Sequence, residues 1–302
     1  MALFITTIGC YGLQSSDINV SLTGIGLLFS IADFLGKDGE VLVQTSTAEE
    51  SVDRFIEPLH QASGLKSSTS SFTHSPIARL WISLFTEMKQ LCLDQRFEVR
   101  NCSLITLIKT FTTHGRSLEL DTWNKCTWDI LIPMLEDIQS STSAAATEEV
   151  SVELGKQGGR SVKLLVHHSR NSVQKQWNET VLLSYSGFTR ILRTFASILV
   201  QLSTFDAIWA RTVSLGEQLV LYQSHEVSES VIVSLRELLI SSATQSYLSR
   251  SHWDLIWQTY ENVVQKLSQN VPETLLAVLS SSFSQLYTNQ RKVRDILSDD
   301  VF

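Results

Sequence analysis

Between Gly155 and Asn178 the chain carries the cations Lys156, Arg160, Lys163, Arg170 and Lys175 and no Asp or Glu. The adjacent pair His167 and His168 lies among them. Such a segment can draw an acidic partner or an anionic lipid surface toward the chain, because clustered positive charge concentrates anions. Near a charged membrane each cation contributes roughly 1 kcal/mol, so a loop of them assists an attachment rather than anchoring it. Lys163, His167, His168, Arg170 and Lys175 are therefore the residues expected to meet a partner. A solvated linker running into a helix start near Trp177 is the plainer reading of the same residues.

Other reactive residue types do not converge on a site. Adjacent histidines do not share a helical face, and a metal would need further ligands close to His167 and His168. Gly155-Lys156-Gln157-Gly158-Gly159 has the composition of a phosphate loop but follows no predicted strand, so it reads as a flexible loop. The P-loop, G-x-S-x-G and H-E-x-x-H patterns are absent, and the carboxylates are scattered over polar faces without an acid/base pair. Cys10, Cys92, Cys102 and Cys126 show no C-x-x-C spacing. They read as reduced thiols of a cytosolic chain, with three at apolar helical positions. The expectation is no catalytic, cofactor-binding or metal-binding residue, and a chain that is not an enzyme. A formal net charge of -7 over 302 residues also lacks the basic excess of a nucleic-acid binder.

What must position these residues is a row of helices. Hydrophobic residues make up 43% of the chain, with only 4 prolines and 13 glycines, which favours helices over a β-sandwich. Apolar residues recur with helical period along 17–35 (Ile18, Leu22, Ile25, Leu28, Ile31, Leu35), with Asp17 as N-cap. Ser75 and Pro76 open a helix over 76–92. A helix over 97–114 carries Val99, Cys102, Ile105, Ile108 and Phe111 and stops before Gly115. Asp121 caps the next, over 122–138, and helices follow at 173–203, 205–223, 226–243, 251–268 and 273–289. Trp81, Leu84, Ile105, Ile108, Trp123 and Leu131 are expected to share one core. Short joints make neighbouring helices antiparallel.

Residues 37–74, whose acidic middle reads as a short helix around 49–62, and the insert 140–171 look like mobile polar loops. This divides the chain into helix pairs over 1–139, a flexible insert at 140–171 and helix pairs over 172–302. No apolar run reaches the ~18 uninterrupted residues of a spanning helix. The N-terminus lacks the basic flank of a signal peptide. It reads as the middle of a helix, so the chain is expected to be part of something longer.

A Val, an aliphatic residue five on and a Leu eight on recur at Val20/Ile25/Leu28, Val99/Leu104/Leu107 and Val227/Ile232/Leu235, with Asp17, Glu98 and Glu226 just upstream. The stretch Asp94 to Asn101 (DQRFEVRN) resembles the opening of the second helix of a HEAT repeat. The fold expected is all-α, a HEAT/armadillo-like right-handed solenoid of about five antiparallel helix pairs within a longer superhelix, with no β-sheet. Arg100 is then expected at the joint of a pair, bonded to a carboxylate or a backbone carbonyl, with Asp94 as cap and partner.

Three stretches go further. They are Asp17–Leu35 (DINVSLTGIGLLFSIADFL), Glu98–Ser103 (EVRNCS) running on to Thr113-His114-Gly115, and His167–Thr180 (HHSRNSVQKQWNET). In this order they resemble the C-terminal half of the Mon-two family, named for monensin sensitivity. That family is related to the large BIG-type Arf guanine-nucleotide exchange factors but lacks their exchange domain. The resemblance covers roughly residues 15–245, with Gln176-Trp177-Asn178-Glu179-Thr180 its most specific part. It implies a non-catalytic scaffold of vesicle traffic, cytoplasmic and peripheral on Golgi and endosome membranes. It also implies association with a Dopey-type protein, a lipid flippase and an Arf-like GTPase. Two other functions fit the residues: a HEAT adaptor unrelated to membranes, or a regulatory fragment of an active exchange factor.

Overall fold

The computed structural model describes residues 1–14, 16–45, 75–148, 152–157, 160–164, 172–222, 224–241, 247–267 and 273–299. Its elements are α1 (Ala2–Gln14), α2 (Ile18–Thr45), α3 (Pro76–Cys92), α4 (Phe97–His114), a 3₁₀ turn (Gly115–Ser117), α5 (Leu120–Lys125), a π turn (Cys126–Leu131) and α6 (Ile132–Glu148). Strands β1 (Val152–Gln157) and β2 (Arg160–Leu164) follow, then α7 (Val173–Thr194), α8 (Ala196–Leu199), α9 (Phe205–Tyr222), α10 (His225–Ile240), α11 (Arg250–Leu267) and α12 (Glu273–Asp299). Among the described residues the chain is all-α apart from this one hairpin. It forms two compact units, Met1–Met134 with Thr194–Ile208, and Leu135–Arg193 with Trp209–Phe302.

In the first unit two helix pairs stack. α1 packs on α2 and α3 on α4; α1 also lies against α3, and α2 against α3 and α4. The helix starts follow the local chemistry. Asp17 Oδ1 accepts from Asn19 N at 2.9 Å ahead of α2, and Ser75 Oγ accepts from Ala78 N at 3.2 Å with Pro76 in the first turn of α3. These bonds satisfy amides that a helix start leaves unpaired.

A line of touching rings runs through this unit. Centroids are 5.5 Å apart for Trp81–Phe85, 4.0 Å for Phe85–Phe111, 5.4 Å for Phe111–Trp123 and 5.0 Å for Trp123–Phe195. Each pair adds about 0.5–1.5 kcal/mol beyond its buried area. Gly115 makes room for the line: a Cβ there would lie 2.5 Å from Phe195 Cζ and 2.8 Å from Trp123 Cζ2.

The second unit buries Trp177, Val181, Tyr185, Phe188 and Leu192 of α7 together with Trp209, Leu235, Ile256 and Tyr260. The Tyr185 hydroxyl donates to the Thr212 carbonyl at 3.0 Å. Trp209 meets His252 edge-on at 5.6 Å, and Trp257 meets Phe283 at 5.1 Å. α10 packs on α12.

Several sequence expectations need correction. In α4 the buried face is Val99, Arg100, Ser103, Leu104, Leu107, Ile108 and Phe111, whereas Ile105 is 55% exposed and Cys102 half-buried. The expected stripe used a strict spacing of three, which slips about 60° per step against a 3.6-residue turn. Ile105 therefore drops out of the shared core, while Trp81, Leu84, Ile108, Trp123 and Leu131 are buried. The helix expected at 122–138 begins at Leu120 and widens into the π turn before Pro133. Proline has no N–H for the carbonyl four residues back and its ring crowds that carbonyl, which a wider turn relieves.

The long helix expected over 173–203 breaks at Phe195, whose buried ring ends the aromatic line. The expected mobile loops are partly helical, since α2 runs on to Thr45 and α6 to Glu148; residues 46–74, with the short helix expected at 49–62, lie outside the described residues. Within 140–171 the chain forms an antiparallel hairpin, with Val152 opposite Leu164 and Gln157 opposite Arg160. The signal was present as short β-prone runs flanking Gly158-Gly159.

Ile18–Lys37 of α2 is long and apolar enough to cross a membrane. It contains no uninterrupted apolar run of that length, because Asn19, Ser21, Thr23 and Ser30 punctuate it. Its face of Ile25, Leu28, Ile31, Ala32 and Leu35 is buried among α1, α3 and α4, as in the core helix of a folded unit.

Ile108→Ala is expected to cost about 2–5 kcal/mol, and Ile105→Ala no more than about 0.5 kcal/mol. Urea denaturation of both variants checks this; equal losses would refute the phase assigned to α4.

Candidate functional site

The residues expected to meet a partner are not gathered by any described element. Lys163 stands on β2 opposite Glu153. Lys175 is exposed in the first turn of α7, where its amide donates to Ser172 Oγ at 3.3 Å. His167, His168 and Arg170 lie outside the described residues. Among the described residues no group of three or more His, Cys, Asp or Glu is placed to hold a metal. The cysteines are free, with Cys92 and Cys126 buried and Cys10 exposed; burial pushes the thiols of Cys92 and Cys126 upward.

Polar side chains do converge at the helix joints. Arg100 is fully buried, and its Nη1 donates to the carbonyls of Asp94 at 2.6 Å and Gln95 at 3.2 Å. Burial pushes the guanidinium below its ordinary value, and the Asp94 and Glu98 carboxylates oppose that shift. The Asp94 side chain itself goes to Arg96, through the Arg96 amide at 2.8 Å, Nε at 2.9 Å and Nη2 at 2.6 Å. Burial raises the Asp94 pKa, yet these Arg96 bonds hold it below the usual carboxylate range. Asp94 is therefore not the cap expected, because the N-cap of α4 is Arg96, which makes no side-chain capping bond; Asp94 partners Arg100 through its backbone carbonyl rather than its carboxylate.

Arg96 Nη2 also donates to the Gly12 carbonyl at 3.0 Å, which accepts from Ser21 Oγ at 2.6 Å. The end of α1, the start of α2 and the α3–α4 joint are thereby tied at one carbonyl. The second unit has a counterpart inside the most family-specific stretch. Asn178 is buried, receives Gln174 Nε2 at 2.8 Å and donates to Ser224 Oγ at 3.0 Å just before α10. This stretch holds a joint rather than presenting a chemical site.

Two buried ionisable groups escaped the sequence reading. His114, 6% exposed, lies 3.7 Å from Asp33 and 5.8 Å, ring to ring, from Trp81. Burial lowers its pKa, which Asp33 opposes. A Cβ at Gly36 would overlap the His114 ring. Two of the family-like stretches, ending at Leu35 and at Gly115, therefore meet in space. Glu87, 7% exposed, faces Gly9 of α1, and burial pushes its carboxyl up to about 7.

A surface shaped to meet a partner lies on the outer side of α1 and α2. A cleft of about 340 Å³ is lined by Thr7, Ile8, Tyr11, Asn19, Val20, Thr23, Gly24 and Leu27. Leu3, Phe4, Tyr11 and Leu27 are exposed. Thr7 and Thr23 donate to the carbonyls of Leu3 at 2.7 Å and Asn19 at 2.8 Å, so their hydroxyls are spent within their own helices. From Met1 to Ala32 the only charged side chain is Asp17. That charge gap is the signal by which the sequence could have announced this face. An apolar patch rimmed by polar residues is a recognised mark of an interaction surface.

A model of the C-terminal region of Mon2 protein matches residues 1–277. The Drosophila melanogaster protein named Protein MON2 homolog is 30% identical over 245 residues, covering 81% of this chain and 13% of that protein. The Homo sapiens Protein MON2 homolog is 29% identical over 239 residues, 79% of this chain and 13% of that protein. More distantly, the ARF guanine-nucleotide exchange factor GNOM of Arabidopsis thaliana is 22% identical over 204 residues, 63% of this chain and 12% of that protein. No solved structure matches.

The joint makes a prediction. Arg100→Met keeps most of the apolar stem but leaves two carbonyls without their donor, and should cost roughly 1.5–3 kcal/mol. Urea denaturation measures it; a loss below about 0.5 kcal/mol would show that the guanidinium does not hold the joint.

Proposed function

The chain belongs to the Mon2 family as its C-terminal region, and from that premise we propose that it is a non-catalytic scaffold of Golgi–endosome vesicle traffic, acting through protein–protein contacts. The match of the family model over residues 1–277 carries the reading. The stacked pairs α1/α2 and α3/α4 support the finer fold proposed for it, a HEAT/armadillo-like right-handed solenoid. In such a fold every element serves to build a long surface, and binding rather than turnover is what the architecture offers.

The chain spans about an eighth of the MON2 homologues it matches, so the activity of the whole protein enters as part of the proposal. Attachment is peripheral, on cytoplasmic faces of Golgi and endosome membranes. The partners proposed from the family are a Dopey-type protein, a lipid flippase and an Arf-like GTPase. Lys163, His167, His168, Arg170 and Lys175 are proposed to assist these contacts electrostatically. Distant similarity to ARF exchange factors supports shared ancestry. It does not lead us to propose exchange activity.

Membrane fractionation tests the reading. The tagged protein should sediment with Golgi and endosome membranes, be stripped by carbonate wash, and leave nucleotide exchange on an Arf protein at its basal rate. Recovery in the soluble fraction throughout would favour an adaptor unrelated to membranes. Accelerated exchange would overturn the non-catalytic reading.

A further inference from the structure

We propose that Glu87 is a proton-operated latch for α1: with its proton the acid seats α1 on α3, and once ionised it loosens that helix. This stands independently of the trafficking reading, because it rests on how two helices meet.

The contact is close and uncharged. Glu87 on α3 is 7% exposed, and its Oε2 is wholly buried without a hydrogen-bond partner. It faces Gly9 of α1, where a Cβ would overlap Oε2 and lie 2.9 Å from Cβ and Cδ of Glu87. One turn on, a Cβ at Gly12 would come 3.2 Å from Leu91 Cδ2. Glycine thus brings the α1 backbone down onto the carboxyl, and no water-sized gap separates them.

Among the described residues no charged group acts on the Glu87 carboxyl; on α3 itself the cations are Arg79, about two turns away, and Lys89, on another side of the helix. α1 has no charged side chain, and its titratable Cys10 and Tyr11 are exposed. Across α2, Asp33 is paired with Lys37. Before and within α4, Asp94 is paired with Arg96, Arg100 is bonded to carbonyls, Lys109 lies over the Phe29 ring, Glu98 is exposed and His114 faces Asp33. On α5 and the π turn, Asp121 and Asp129 are exposed and Lys125 is half-buried. What acts on the Glu87 carboxyl is burial, which raises its pKa, and the Thr6 hydroxyl of α1, which lowers it. An unpaired carboxylate in such a place is costly, and lifting α1 returns it to water.

The sign follows. The seated acid titrates near 7 and the released one near its ordinary 4.5. Below both values the seat is at full strength. Between them the seated form holds a proton that the released form has lost, so rising pH favours release tenfold per unit. The total is about 300-fold, and the equilibrium is level above pH 7.

Hydrogen exchange of the whole chain, compared with Glu87→Gln at each pH, isolates this effect from the ordinary pH dependence of exchange. The opening of α1 amides in the native chain, relative to the Gln variant, should rise about tenfold per pH unit from about pH 5 to pH 7 and then level. Amides of α10 and α12 should show no such ratio. A ratio that stays flat with pH, or one that rises equally in α10 and α12, would overturn the latch. If the Gln variant does not fold, carbon-13 titration of the Glu87 carboxyl decides instead. A midpoint near 7 supports the latch and one below about pH 5.5 overturns it.

Discussion

Trp123 is fixed on several sides at once. Its indole N–H donates to the Gly115 carbonyl at 2.9 Å, and its ring meets Phe111 at 5.4 Å and Phe195 at 5.0 Å. The rest of the first unit depends on this arrangement. Phe111 sets the rotation of α4, and Phe85 stacks on it with planes 7° apart, which sets α3. Phe195, far along the chain, is held in the same unit by the same ring. Gly115 permits it all, because a side chain there would occupy the space of both Phe195 and Trp123.

The helix pairs are held by two kinds of contact. Apolar faces supply most of the burial, as expected for amphipathic helices. Close approach is allowed where a glycine faces a large side chain: Gly9 against Glu87, Gly36 against His114 and Gly216 against Tyr185. These approaches leave little slack, so a chemical change at the facing residue is felt by the backbone opposite it. The outer side of α1 and α2 is the reverse case, with apolar side chains facing outward over an uncharged surface.

What the sequence made legible was local. The Ser75-Pro76 start, the Asp17 cap, the end of α4 at Gly115 and the burial of Arg100 at a joint follow from residue type and spacing. Less legible was anything that depends on a second element. The side chain of Glu87 looks solvated on its own helix, and only Gly9 opposite reveals it as buried. Ile105 looks buried until the true rotation of α4 is known. The widened turn before Pro133 and the break at Phe195 reflect competition between local geometry and packing, which periodicity alone does not register. The basic segment was legible as charge, but the sequence does not say how Lys163 and Lys175 are arranged in space.

Six of the side chains at the joints share one more property. Arg100, Arg96, Ser21, Trp123, Tyr185 and Ser228 all donate to main-chain carbonyls, of Asp94 and Gln95, Gly12, Gly115, Thr212 and Val220. A carbonyl is supplied by every residue type and does not titrate. Each such bond therefore asks for one particular donor and is indifferent to the identity of its acceptor. Half of each bond is exempt from mutation. A lineage can rewrite many of the residues around such bonds and still keep the helices tied at the same points.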